Sequence, residues 1–253
     1  MPPSTGNYGR ELRKLLAGIG APKPVPFKPD PFQVEALRAL EFEDLLVTAP
    51  TGSGKTWIAR EEIRRLLGVG KRAWYTSPLK ALTNSKYAEF SAEFGAALVG
   101  ILTGDRKENS NAPLIVGTAE IYRNQLFDAM RGGEHVHADL VVLDEAHYVA
   151  DEDRGHVWEE AIILTPPRIR LLLLSATIGN ADEFASWIAE VRGLRCGVIT
   201  RPGARPVPLR AAFLLPDKRL LPLLGDNGKL NAEIAKMIEQ QDRRPHFRKA
   251  RSR

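Results

Sequence analysis

The residues Ala49-Pro-Thr-Gly-Ser-Gly-Lys-Thr56 follow an apolar run, Leu45 to Val47, and lead into a helix-compatible run, Trp57 to Leu67. A strand, a glycine-rich turn and a helix in that order leave few folds open, because the helix N-terminus presents unpaired N–H groups and the positive end of its dipole to whatever binds at the turn. Gly52 and Gly54 let the backbone curl round an anion, with Pro50, Thr51 and Ser53 in the same turn. Lys55 is then placed to reach the β and γ oxygens of a nucleoside triphosphate, and the Thr56 hydroxyl to hold Mg²⁺. The strict pattern begins with Gly where this chain has Ala49, so the turn alone is also compatible with a flexible Gly/Ser connection before a helix.

A second stretch narrows the choice. Asp139-Leu-Val-Val-Leu-Asp-Glu-Ala-His147 is a buried-strand pattern ending in two adjacent carboxylates. In open parallel sheets the carboxyl ends of the strands are where ligands bind. Asp144 there would hold Mg²⁺ through water, and Glu145 would orient and deprotonate an attacking water. By itself an Asp-Glu pair after a strand reads as a helix N-cap and a first-turn acid; joined to the glycine-rich turn it reads as hydrolytic chemistry.

From Phe32 onward apolar runs alternate with helical patterns, with strands expected near 44 to 48, 72 to 76, 97 to 102, 114 to 117, 139 to 144, 170 to 175 and 196 to 200. This predicts an α/β fold with a parallel sheet covered by helices on both faces. Residues 1 to 30 read as a lead-in, with leucines at helical spacing over Arg10 to Ile19 and a proline-rich stretch up to Pro31. Residues 31 to 208 form the expected domain, closed by the extended segment Arg201 to Pro208. Residues 209 to 242 are expected to hold an exit strand, Leu209 to Leu215, and a helical segment, and residues 243 to 253 a basic tail.

The tail matters for charge. It carries six basic residues and no acid, which more than accounts for the net +5 of the 253-residue chain. Net charge therefore says little about the ligand of the main body, while the tail reads as a solvated end that can hold polyanions loosely. One cysteine, Cys196, excludes an internal disulfide framework, and no apolar stretch is long enough to span a bilayer, which together point to a cytoplasmic or nucleoid-associated protein. His135, His137, His147 and His156 lack the Cys or carboxylate spacing of a metal centre.

With these motifs in order, the chain resembles the superfamily 2 DExH-box helicases, Asp144-Glu-Ala-His147 being the DExH box. Further matches are Phe32-Gln33, Ser77 to Thr83, Thr103-Gly-Asp105, Gly117-Thr-Ala-Glu120 and Ser175-Ala-Thr177. The wording of Asp144 to Glu160 and Leu174 to Ile188 is most similar to the Ski-type RNA helicase branch, and the likeness extends over about residues 30 to 210. It implies a RecA-like P-loop NTPase fold, the first motor domain of a helicase, with ATP and Mg²⁺ as cofactors.

The resemblance also assigns residues. Gln33 would read adenine, which suits an amide that donates and accepts at once; the alternative is a polar residue near the start of a helix. Phe27 is a candidate for stacking on the base or for a hydrophobic anchor. Pro78, Lys80, Leu82, Thr103, Gly104, Asp105, Thr118, Glu120 and Arg123 would grip a single strand of RNA or DNA through its backbone. Ser175 and Thr177 would couple the state of the γ-phosphate to that strand, with His147 in the same network.

The family completes its site with an arginine finger from a second RecA-like domain, and no glycine-arginine motif follows Thr200 here. The faint likeness in Gln240 to Arg244 lacks the glycines and is grouped with the tail. The leading account is an excised motor domain of a longer helicase. The alternatives are a stand-alone ATPase that needs a partner to complete its site, a nucleotide-gated binding module, and a DNA repair helicase domain.

Overall fold

Leu45-Leu46-Val47, Val141-Val142-Leu143 and Leu171 to Leu174 are each buried along their whole length, which is the signature of strands covered on both faces. The computed structural model describes residues 27–132, 135–176, 178–201, 211–215, 219–225 and 228–242. In chain order these form α1 (Pro31–Leu40), β1 (Asp44–Thr48), α2 (Lys55–Gly68), β2 (Ala73–Ser77), α3 (Lys80–Phe94), β3 (Val99–Leu102), β4 (Lys107–Glu108) and β5 (Leu114–Thr118). There follow α4 (Ala119–Met130), β6 (Leu140–Leu143), α5 (Gly155–Leu164), β7 (Arg170–Ser175), α6 (Ala181–Arg192), β8 (Cys196–Thr200), β9 (Ala212–Leu214), β10 (Leu220–Pro222) and α7 (Ala232–Asp242).

The main sheet has the order β4-β3-β5-β2-β6-β7-β1-β8. Every pairing in it is parallel except that of β4 with β3. Parallel neighbours need crossovers, and helices provide them on both sides. The period-two alternation of strand side chains splits the apolar residues into two cores. Leu46, Trp74, Val141, Leu143, Leu171 and Leu173 pack with Tyr122 and Leu126 of α4, Trp158 and Ile162 of α5, and Ile188 of α6. Leu45, Val47, Tyr75, Val142, Leu172 and Leu174 pack on the other face with Phe32 and Ala36 of α1, Ile58 and Ile63 of α2, and Phe90 of α3. Each face therefore carries three helices. The expected α/β architecture is the one observed.

Strand limits follow the expectation within two residues, and those of β1, β7 and β8 coincide with it. The stretch expected to begin a strand at 97 opens instead with a short 3₁₀ turn, Ala96–Leu98, entered from Gly95 at φ 93°, and the strand starts at Val99. Strand β4 escaped the sequence reading because it has two exposed residues and no apolar pattern. Of the exit strand, Ala212 to Leu214 is present and pairs antiparallel with β10, and α7 is the helical segment, taking in Gln240 to Asp242. The lead-in up to residue 26, most of the 201–208 segment, Thr177 and the tail from 243 lie outside the described residues.

The edge opposite the strand ends discussed below is anchored by one buried ion pair. Arg192 Nε of α6 donates to Asp44 Oδ2 of β1 at 2.6 Å, with both side chains 0–1% exposed. The remaining guanidinium donors reach the carbonyls of Thr165 at 2.5 Å and Ile169 at 2.8 Å, while Asp44 Oδ1 accepts the Leu171 N–H at 2.9 Å. The pair thus ties α6, the end of α5 and the starts of β1 and β7 together. Removing one partner leaves a buried charge uncompensated, so Arg192→Met is expected to cost about 3–5 kcal/mol of stability. Urea unfolding measures this, and a loss below about 1 kcal/mol would show that the anchor is dispensable.

Candidate functional site

The turn after β1 has the conformation that its glycines predict. Gly52 and Gly54 both lie at φ 85°, a region that other residues enter only with strain, and Gly54 directly precedes the first residue of α2. A side chain at Gly54 would also collide with Gln33, since an added Cβ would lie 2.5 Å from Nε2. Lys55 folds back into the turn, its ammonium donating to the carbonyls of Ala49 at 2.6 Å and Pro50 at 3.3 Å. Burial pushes the Lys55 ammonium below its ordinary value, and the charges of Glu145 and Asp144 oppose that shift. The turn and the carboxylate pair are therefore electrostatic neighbours. Ser53 is buried with its hydroxyl unpartnered, while Thr51 is exposed and Pro50 half-buried.

Sheet order explains that neighbourhood. Strand β7 lies between β1 and β6, and Thr48 pairs with Ser175, so Ser175 stands between the turn and Asp144. The Ala49 N–H donates to the Ser175 carbonyl at 3.2 Å, which fixes the start of the turn. Ser175 Oγ is buried without a hydrogen-bond partner. Thr177 is outside the described residues, so only the first of the two expected coupling hydroxyls can be placed.

Asp144 follows the last residue of β6, its N–H donating to the Thr76 carbonyl at 3.1 Å. Its Oδ1 accepts the Glu145 N–H at 3.0 Å and its Oδ2 the Tyr75 hydroxyl at 2.5 Å. Burial raises the Asp144 carboxyl above its usual range, and the Tyr75 and Glu145 hydrogen bonds work against that rise. Glu145 adopts φ 54°, ψ 46° and opens a short 3₁₀ turn, Ala146–Ala150. A non-glycine residue in this left-handed region stores of order 1–3 kcal/mol, a kind of strain that clusters at functional sites. His147 Nδ1 lies 3.4 Å from Glu145 Oε2 and is otherwise unpartnered.

Gln33 is 3% exposed and has local duties. Its Oε1 accepts the Asp30 N–H at 2.8 Å, and its Nε2 donates to the Gly54 carbonyl at 2.9 Å. One N–H and one lone pair of the amide remain for a base edge. Arg201 holds this end of α1 to the sheet, pairing with Asp30 Oδ2 at 2.8 Å and donating its N–H to the Thr48 carbonyl at 2.9 Å. Phe27 is 67% exposed, with its ring centroid 5.5 Å from that of Trp57 in the first turn of α2.

The donor set fits a magnesium nucleotide. Thr56 and Asp144 offer hard oxygen ligands, and Lys55 is held only by carbonyls that an anion could replace. Ser53 Oγ, His147 Nδ1 and Ser175 Oγ are buried atoms on this edge that lack partners. Unpartnered buried polar groups cost about 1–3 kcal/mol each, and a bound ligand offers them relief.

The expected nucleic-acid residues occupy the adjoining stretch of the same edge. Ser77 of β2 pairs with Thr118 of β5, and Leu102 of β3 with Gly117, so the ends of three neighbouring strands present Pro78, Thr103-Gly104-Asp105 and Thr118 side by side. Pro78 and Thr118 are buried; Lys80, Leu82, Gly104 and Asp105 are exposed, and Glu120 and Arg123 are intermediate. Each cation here is paired. Lys80 lies 3.1 Å from Asp105 Oδ1, and Arg123 lies 3.1 Å from Glu160 Oε2.

Two residues on this edge were missed by the sequence reading. Arg154 pairs with Glu120 and donates to the Pro78 carbonyl at 2.7 Å, lining a recess of about 330 Å³ together with Lys80, Gly104 and Thr118. Tyr75 falls inside the strand expected near 72 to 76 with nothing to mark it out. No spacing signal distinguishes either one, since both are chosen by contacts between strands and loops far apart in the sequence.

Comparison with known proteins agrees with this geometry. The sequence profile of the DEAD/DEAH box helicases matches residues 30–184, more than half of the chain. The chain is 44% identical over 207 residues to the chloroplastic DExH-box ATP-dependent RNA helicase DExH15 of Arabidopsis thaliana, covering 80% of this chain and 17% of that protein. It is 39% identical over 241 residues to the probable helicase HelY of Mycobacterium leprae, covering 90% of this chain and 25% of HelY. Against the antiviral helicase SKI2 of Saccharomyces cerevisiae it is 40% identical over 217 residues, 85% of this chain and 16% of SKI2. The chain thus spans a quarter or less of these relatives. With the family profile, the sheet order and the two motifs in agreement, the chain belongs to the DEAD/DEAH box helicases.

Proposed function

We propose that these residues form an ATP-hydrolysing motor domain that holds Mg-ATP at the β1, β7 and β6 ends and a single nucleic-acid strand at the β2, β5 and β3 ends. The observation that carries this reading is the sheet order, which makes the two candidate sites contiguous parts of one edge. Family membership implies ATP use. Lys55 and the N–H groups of the turn would take the phosphates, Thr56 and Asp144 the metal, and Gln33 the adenine, with Phe27 beside it. Bound Mg²⁺ neutralises charge on the phosphates. Glu145 would take the proton of the attacking water, held by its left-handed backbone beside His147.

RNA is the substrate supported by relatives such as the ATP-dependent RNA helicase mtr4 of Schizosaccharomyces pombe, which is 44% identical over 207 residues. No helix among the described residues is long and apolar enough to cross a membrane, and a cytoplasmic setting suits this role. We assign the motor domain to residues 31–208, and the hairpin and helix over 209–242 to its exit. A second RecA-like domain, in the same chain or a partner, would supply the arginine finger and the other half of the track.

Two outcomes test this. Lys55→Ala is expected to weaken nucleotide binding, whereas Glu145→Gln leaves binding largely intact and lowers turnover by roughly 10² or more. Equal loss of binding in both variants would sink the division of roles. These 253 residues alone are also expected to hydrolyse ATP slowly and to leave a duplex intact, because an arginine finger contributes about 10³ to 10⁵ in rate. ATP-dependent strand separation by the purified chain without a partner would refute that expectation.

A further inference from the structure

Tyr75 of β2 carries a buried hydroxyl that reaches Asp144 at the candidate nucleotide edge. Its ring is 0% exposed and stands edge-on to Phe90 of α3, with centroids 5.1 Å apart and planes at 74°. Strand β2 lies between β5 and β6, and Tyr75 is in register with Val142, two residues before Asp144. Thr76 fixes the same end of β6 twice, its hydroxyl donating to the Val142 carbonyl at 3.0 Å and its carbonyl accepting the Asp144 N–H at 3.1 Å. The phenol is thus carried on a rigid mount.

From that mount the hydroxyl donates to Asp144 Oδ2 at 2.5 Å. A carboxylate turns freely about its last bond unless both oxygens are held. Here Oδ1 is held by the Glu145 N–H at 3.0 Å and Oδ2 by Tyr75. Magnesium demands near-ideal octahedral geometry and binds poorly to ligands that must first be ordered. Groups that orient metal ligands contribute accordingly, and their loss typically lowers metal affinity by about 10–100-fold.

We propose that Tyr75 is a positioning residue for the magnesium site: its phenol holds Oδ2 of the Asp144 carboxylate and, with the Glu145 N–H on Oδ1, fixes the orientation in which that carboxylate would meet Mg²⁺. The inference rests on the Mg-nucleotide reading of this edge and deepens it. Fully buried, Tyr75 would act through Asp144 and not as a ligand of the metal or the nucleotide itself. Each lone pair of Asp144 left open by the two hydrogen bonds remains available to a metal-bound water.

The test titrates Mg²⁺ into the purified chain with a fluorescent methylanthraniloyl derivative of ADP, which reports binding without turnover. The unmodified chain is expected to bind the probe more tightly as Mg²⁺ rises. Tyr75→Phe, which deletes one oxygen and keeps the ring, is expected to move the Mg²⁺ midpoint about tenfold or more higher while leaving affinity in EDTA unchanged. Phe90→Leu disturbs the ring packing but keeps the hydroxyl, and is expected to retain the original midpoint. An unchanged midpoint in Tyr75→Phe overturns the proposal, as does equal loss of affinity with and without Mg²⁺, or a matching shift in Phe90→Leu. Absence of any Mg²⁺ dependence in the unmodified chain would instead remove the nucleotide reading on which the proposal stands.

Discussion

The pairing of β7 between β1 and β6 is the constraint on which the candidate chemistry depends. Two parallel ladders, Leu45 to Thr48 on Leu172 to Ser175 and Leu140 to Leu143 on Arg170 to Leu173, bring the turn and the carboxylates to the same edge. A slip of one residue in either ladder would exchange the core faces of every side chain in the strand. Leu46 and Leu45 sit in opposite cores, so such a slip is resisted by the burial of both. At the far end the Asp44–Arg192 pair fixes where β1 and β7 begin, and the site inherits its registration from there.

Against this rigid frame, the edge itself holds groups that the fold leaves unsatisfied or strained. Glu145 has a left-handed backbone, Ser53 and Ser175 have buried hydroxyls without partners, and Lys55 is turned onto carbonyls of its own loop. Such features cost free energy in isolation and are tolerated only where surrounding packing over-determines them. The two cores flank these positions: Ala146 follows Glu145, Leu174 precedes Ser175, and Ala49 and Ile58 bracket the turn that holds Ser53 and Lys55. Asn109 at φ 45° and the unpartnered Trp158 Nε1 show that such features also occur elsewhere, but several gathered at one edge suit a pre-organised ligand site, because a ligand then repairs deficits without rebuilding the fold.

Much of this was legible in the sequence. The runs Leu45–Val47, Asp139–Leu143 and Arg170–Leu174 announce buried strands, and Gly52 and Gly54 announce a turn that needs positive φ. The alternation of apolar runs with helical patterns gives a sheet covered on both faces. Periodicity carries no strand order, and order is what selects partners across the sheet. Tyr75 looks like any aromatic strand residue until β2 is placed beside β6. Gln33 reads as a helix-start amide or as a base reader, and the structure shows the first duty without displacing the second. Strand β4 and hairpin β9–β10 are short and exposed, so no burial pattern marks them.

The nucleic-acid edge adds a different physical point. Its cations are matched by carboxylates, Lys80 by Asp105, Arg123 by Glu160 and Arg154 by Glu120. Exposed pairs such as Lys80–Asp105 are worth only about 0–1 kcal/mol, so an incoming phosphate can take the cation at little cost. The half-buried Arg154 is held more firmly, by Glu120 and the Pro78 carbonyl together. Arg154 lies just beyond the turn that begins at Glu145, and Pro78 lies just beyond the strand that carries Tyr75. A guanidinium at this junction joins the loop bearing the candidate base to the loop facing the strand. These contacts form a contiguous chain between the two candidate sites, running through the same strand, β2, whose phenol is hydrogen-bonded to Asp144.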